Sequence, residues 1–196
     1  PLRTSVWYYT NNGGSTPANT YLHKVTYEKD SLINGQTVAA YKGEGWSESG
    51  LPGVHYFRYD NGKVYVPSGN GWGLLYDFTV SPNDTIYLVD VYSPQDSIEF
   101  VVHSVVPTLY DTVMLNRYYV TSTTIPDAGF HEGYYTERIG ATFFYPQVGL
   151  AAPEHSVIRC YEDSSIKVHI NYPGTQCDAG ISTTVIEHQL APTVTV

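Results

Sequence analysis

Turn signals punctuate this sequence about every ten residues, and no apolar stripe of helical period persists over three turns between them. That spacing leaves room for short strands and none for the helical crossovers that parallel pairing requires. Val, Ile and Thr number 51 while Ala and Leu together number 20, so residues suited to a pleated sheet outweigh helix formers. The chain is therefore expected to be all-β, an antiparallel sandwich or barrel-like unit. Its 196 residues suit one such domain over positions 1–196.

The clearest strand is Ile166–Ile170, where apolar and polar residues alternate strictly and one face must be buried. Val54–Asp60 and Lys63–Val66 flank Asp60-Asn61-Gly62, whose Asn-Gly supplies the positive φ angles of a tight hairpin. Runs Leu74–Val80, Thr85–Tyr92, Ser97–Val106 and Leu109–Val120 follow, with Pro82, Pro94 and Pro107 expected in the connections. A short phrase of Asp, then Ser or Thr, then an aliphatic residue begins at Asp30, Asp84, Asp96 and Asp111. Asp bonds backbone amides just ahead of it, so each phrase is expected to mark the start of a strand. Ala191–Val196 alternates Thr and Val after Pro192 and reads as an edge strand, paired within the domain or with a neighbour.

A net charge of −9, with ten Lys and Arg scattered singly, argues against nucleic acid, which needs a concentrated basic surface. No polybasic patch and no apolar run near the ~20 residues of a membrane span is present, so membrane insertion is not expected. The sequence opens on Pro1 without a Met, which fits a removed leader. Cys160 and Cys177 have sixteen residues between them, too few ligands for a zinc site and the wrong spacing for a redox motif. A disulfide is the preferred reading, stabilising by about 3 kcal/mol and implying an oxidising compartment; two buried thiols are the alternative.

An ordered set of phrases runs through the chain: Asp30-Ser31-Leu32-Ile33-Asn34-Gly35, Tyr56-Phe57-Arg58, Asp60-Asn61-Gly62-Lys63-Val64-Tyr65 and Leu74-Leu75-Tyr76-Asp77-Phe78. Asn83-Asp84-Thr85-Ile86, Glu137-Arg138-Ile139-Gly140, Cys160-Tyr161-Glu162-Asp163 and Cys177-Asp178 complete it. The set resembles the Bacteroidota exoproteins exported by the type IX secretion system, over roughly residues 20–180. The resemblance implies a secreted or cell-surface address and brings no common reaction with it. The C-terminal sorting domain of such proteins is not expected within residues 1–196, as if cleaved or excluded. Arg138 stands where their phrase has glycine, which bears on any positive φ needed there, and Asn83 stands where a glycine precedes Asp84.

No nucleophile elbow of a serine hydrolase occurs, and His131-Glu132 lacks the second histidine of a zinc-protease helix, since position 135 is Tyr. No calcium-loop pattern occurs, so no cofactor is expected. His23, His55, His103 and His169 fall in strands, where polar-face positions outnumber metal ligands. Glu132, Glu137, Glu154 and Asp163 could supply a glycosidase carboxylate pair, or serve as structural acceptors. Trp46 and Trp72 each sit among glycines and are expected at loop ends, either presenting a ring to a sugar or protein or plugging the open end of a sandwich. Tyr doublets at Tyr8-Tyr9, Tyr118-Tyr119 and Tyr134-Tyr135 should place one ring inward and one outward. The expected function is contact with other extracellular proteins, with itself or with a polysaccharide. A filament or sheath subunit joined by terminal strands and a carbohydrate-active enzyme are the alternatives.

Overall fold

The computed structural model describes residues 2–12, 20–44, 53–69, 71–89, 96–123, 132–141, 156–170 and 177. A single 3-10 turn at Leu2–Thr4 leads into β1 (Val6–Asn12), β2 (Thr20–Ile33), β3 (Gln36–Glu44), β4 (Gly53–Asp60), β5 (Lys63–Ser68) and β6 (Gly71–Asp77). Then come β7 (Thr85–Val89), β8 (Ser97–Tyr110), β9 (Val113–Ser122), β10 (Glu132–Thr136), β11 (Gly140–Ala141), β12 (Ser156–Glu162) and β13 (Lys167–His169). Every pairing is antiparallel. The larger sheet runs β13-β12-β1-β2-β3-β4-β5-β6 and the smaller β11-β10-β9-β8-β7. The fold is all-β, with two antiparallel sheets, one of them a half-barrel, and a Cys160–Cys177 disulfide.

Local sequence accounts for the hairpins. Asn61 and Gly62 take φ of 46° and 81°, the paired positive values of a two-residue turn whose twist matches the flanking strands. Three of the four Asp phrases do precede strands: β7 begins at Thr85, β8 at Ser97 and β9 at Val113. Asp30 does not. It lies inside β2, where its carboxylate takes Arg3 at 2.6 Å and the Tyr27 hydroxyl at 3.1 Å, and the turn falls later at Asn34-Gly35. Asn83 adopts φ 75°, a left-handed value that Asn tolerates better than most residues.

Two expectations about the long central hairpin are corrected. Pro107 is no connection; it sits within β8, opposite Asn116, in a stretch where β8 pairs only with β9. A strand with one bare side is where a sheet tolerates a missing amide. The break comes instead inside the expected Leu109–Val120 run, at Asp111, whose φ of 54° turns β8 into β9. The segment Ala191–Val196 lies outside the described residues.

The interior is divided in two. One core gathers Val64, Val66, Leu75, Ile86, Leu88, Phe100 and Val102 with Tyr76, Tyr118 and Tyr135, between β5–β6 and the smaller sheet. The other gathers Trp7, Tyr9, Val25, Tyr41, Ile158, Tyr161, Ile166 and Val168 from the larger sheet, with Tyr110 and Leu115 from the hairpin tip. Tyr118 and Val120 serve the first core and Leu115 the second, although alternation puts them on opposite faces of β9. The β8–β9 hairpin is therefore buried on one face along its body and on the other at its tip. The remaining face of the tip exposes the cross-strand pair Leu109 and Met114. At another corner β6 and β7 nearly touch: a Cβ on Gly73 would lie 2.6 Å from the Val89 Cβ, so that position accepts no side chain.

Candidate contact face and the fate of the flagged residues

The hairpin register decides what the free wing of the larger sheet presents. Directly opposed residues share a face, so Arg58 with Tyr65, and Pro67 with Trp72, all point one way. Phe57, Val64 and Val66 point the other way, into the interior. On the outward face the Arg58 guanidinium carbon lies 4.3 Å from the Tyr65 ring centre and 5.5 Å from that of Trp72. The Arg58 Nη1 donates to Gln36 Oε1 at 2.8 Å, which fixes the plane of the fork. Each cation–ring contact of this exposed kind contributes about 0.5–1 kcal/mol. The result is a prearranged cluster of two rings and one cation, beside β6 at the end of the sheet.

Trp72 is thus not at a loop end. It is the second residue of β6 and half-buried, its ring held over Arg58 instead of folded into the core. Flanking glycines suggested a loop, but Gly73 is needed for the approach to Val89 and Gly71 for a φ of 142° at the strand's start. Trp46 lies outside the described residues. Arg58 and Tyr65 escaped notice in the sequence, although extending the Asn61-Gly62 hairpin register by two pairs would have set them side by side.

Cys160 and Cys177 are bonded, with Cα atoms 5.6 Å apart, and both are buried against Tyr8 on the outward side of β1 and β12. His169 lies against the bridge, its Nδ1 3.4 Å from Cys160 Sγ. These three side chains fall within 4.8 Å of one another. Zinc binds thiolates, and sulfurs joined to each other are not thiolates, so the bridged state offers a metal one imidazole. His103 bonds the Thr121 hydroxyl at 2.7 Å.

Two of the four flagged carboxylates are structural. Glu137 accepts the Asn116 amide at 2.8 Å and the Asn116 Nδ2 at 3.2 Å, with the Tyr118 hydroxyl oxygen 3.3 Å away. Asp163 accepts the Tyr161 hydroxyl at 2.7 Å, Arg138 at 2.6 Å and the Ser165 amide at 2.8 Å, with its side chain 1% exposed. Burial pushes the Asp163 carboxyl upward, but the bonds from Tyr161, Ser165 and the Ile166 amide prevail and hold it below the usual range. The Glu132 side chain and Glu154 lie outside the described residues. Arg138 adopts φ 67°, a left-handed value, and its ion pair with Asp163 accompanies that strained backbone.

The sequence matches no protein-family model, and the fold matches no solved structure.

Proposed function

We propose that this chain is a non-catalytic extracellular domain that works by surface contact, and that the β4–β6 face carrying Tyr65, Arg58 and Trp72 makes the contact. The stack of these three side chains carries the reading. Trp, Tyr and Arg are the residue types that dominate binding hot spots, because they bury much area for little lost side-chain freedom. Here they are already ordered against one another before any partner arrives. Arg58 covers one face of each ring, which favours a protein surface over a stacked sugar, and a second copy of this chain is the first partner to test. The disulfide supports an oxidising destination, as does the resemblance to exported proteins. The carbohydrate-active alternative is weakened because Glu137 and Asp163 are engaged in holding turns.

Sedimentation velocity over a range of chain concentrations, alongside retention on insoluble polysaccharides, tests the reading. Self-association weakened about thirtyfold in Trp72→Ala, the effect of a hot spot of about 2 kcal/mol, is the expected result. Polysaccharide retention lost in the same variant would replace the protein partner with a polymer. A chain that neither associates nor binds glycan removes this face from consideration.

A further inference from the structure

Between the two cores, on the opposite side of β4 and β5 from the contact face, lies a cavity of about 250 Å3. Small-molecule sites are concave and lined mainly by apolar and aromatic side chains, as this one is. Trp7, Tyr41, Phe57, Leu75 and Phe78 form its walls, and Tyr59, 52% exposed, stands where it meets solvent.

One side is closed by the turn Glu137–Gly140, and that turn is fixed from two directions. The Trp7 Nε1 donates to the Ile139 carbonyl at 2.8 Å, and the Ala141 amide just beyond donates to the Tyr76 hydroxyl oxygen at 3.1 Å. The Gly140 position is closed to a side chain both by its φ of 86° and by the Tyr76 ring, 3.2–3.4 Å from where a Cβ would sit. The rings on the opposite wall brace one another: Trp7 meets Tyr41 at 5.2 Å and Tyr41 meets Phe57 at 5.4 Å, both edge to face. Both walls are held by contacts within the protein itself.

Charge narrows what could enter. Of the two charged lining residues, Arg138 is paired with Asp163, whereas Glu137 takes only the neutral donors of Asn116 and keeps its negative charge. An anionic occupant would meet that carboxylate and would give up its hydration for nothing. Ring edges and faces around the void suit another flat ring. A protein cavity of roughly 150 Å3 accepts benzene, which scales to about ten non-hydrogen atoms here.

We propose that this cavity is a binding site for a small aromatic molecule of bicyclic size that carries no negative charge. It is independent of the contact face, since its lining residues point inward and that face points out. Indole and quinoline serve as probes at neutral pH, with glucose as a polar control of similar size, read by NMR of the Trp7 indole N–H in the full chain. Saturable shifts of the Trp7 signal with either heterocycle, and none with glucose, are expected. Val25→Phe, which fills the void, should weaken the affinity at least tenfold. Where that variant does not fold, Tyr59→Ala, at an exposed position, should weaken it at least threefold. The proposal is overturned by a Trp7 signal indifferent to both heterocycles, by glucose binding equally well, or by affinity unchanged in whichever variant folds.

Discussion

The two cores solve the same packing problem with different materials. The one between β5–β6 and the smaller sheet is mainly aliphatic, built on Val, Ile and Leu from five strands. The one around β1 and β12 is centred on Trp7, Tyr9, Tyr41, Tyr110 and Tyr161. Aliphatic side chains ask only for volume and a rotamer. Buried Tyr and Trp also need a partner for each polar tip, and the second core supplies them: Ile139 carbonyl for Trp7, Ser5 and Asp163 for Tyr161, Thr136 and Arg117 for Tyr110. The first core carries the same demand at fewer of its positions, where Tyr118 and Tyr135 donate to the Phe78 and Asp77 carbonyls and the Tyr76 hydroxyl accepts the Ala141 amide. The lesson is that the aliphatic core is specified by shape and the aromatic one by shape and direction together.

The contrast breaks most visibly under truncation and rescue. Trp7→Ala should cost about 3–5 kcal/mol and Leu88→Ala about 2–5 kcal/mol in urea unfolding. Rescue separates them. Leu88→Met should stay within about 1.5 kcal/mol of the parent. Trp7→Phe should keep a further loss of about 1–3 kcal/mol, because the Ile139 carbonyl is left without a donor. Equal rescue at both sites would erase the distinction between the cores.

Acid sharpens the same comparison. Asp163 is held below its ordinary pKa in the folded chain, so its contribution is fully present above the unfolded value near pH 4 and is lost as pH falls through the folded value. Acidification below about pH 4 should loosen the Tyr161 side of the molecule, followed by Tyr161 ring signals in NMR. Asp163→Asn should be about 2–3 kcal/mol less stable at neutral pH and should lose that part of the acid dependence. A variant as acid-sensitive as the parent assigns the effect to other carboxylates.

The smallest expected effect is at Arg138. Arg138→Gly relieves the left-handed backbone but gives up the Asp163 pair, leaving stability within about 1 kcal/mol of the parent. Arg138→Ala keeps the backbone cost without the pair and should fall lower by about 1–2 kcal/mol. Thermal melts that place Ala at or above Gly would show that the backbone there carries no strain.

Much of the aliphatic half was legible. The Asn61-Gly62 hairpin and the strand starts at Thr85 and Ser97 follow from local rules; beside the aromatic core, so do the alternation that buries Ile166 and Val168 and the disulfide. The aromatic half was less so, because its organisation depends on partners far away in sequence. Nothing near Leu115 signals that β9 changes its buried face between Leu115 and Tyr118; the signal is the arrival of Ile166 and Val168 from another sheet. Alternation within one strand reports a single face only while the neighbours stay constant. Of the contact face, Trp72 was visible as an aromatic among glycines, while Arg58 and Tyr65 were hidden in an otherwise ordinary hairpin. The cavity was beyond reach, since it is a property of the gap between two sheets and not of any segment.

The sheet order has a consequence for the path by which the chain folds. β1 lies between β2 and β12, and Ser5 meets Tyr161 across a separation of 156 residues. The strands of the aliphatic core follow one another closely and can zip through adjacent hairpins. The middle of the larger sheet cannot do so: until Ser156–Glu162 comes back, β1 has an open edge and Trp7 and Tyr9 lack their cover. Closure of so long a loop is slow, and the bare strand can pair with other chains in the meantime. Docking of β12 is then the step expected to come last, sealing the aromatic half onto an aliphatic half built from neighbouring hairpins.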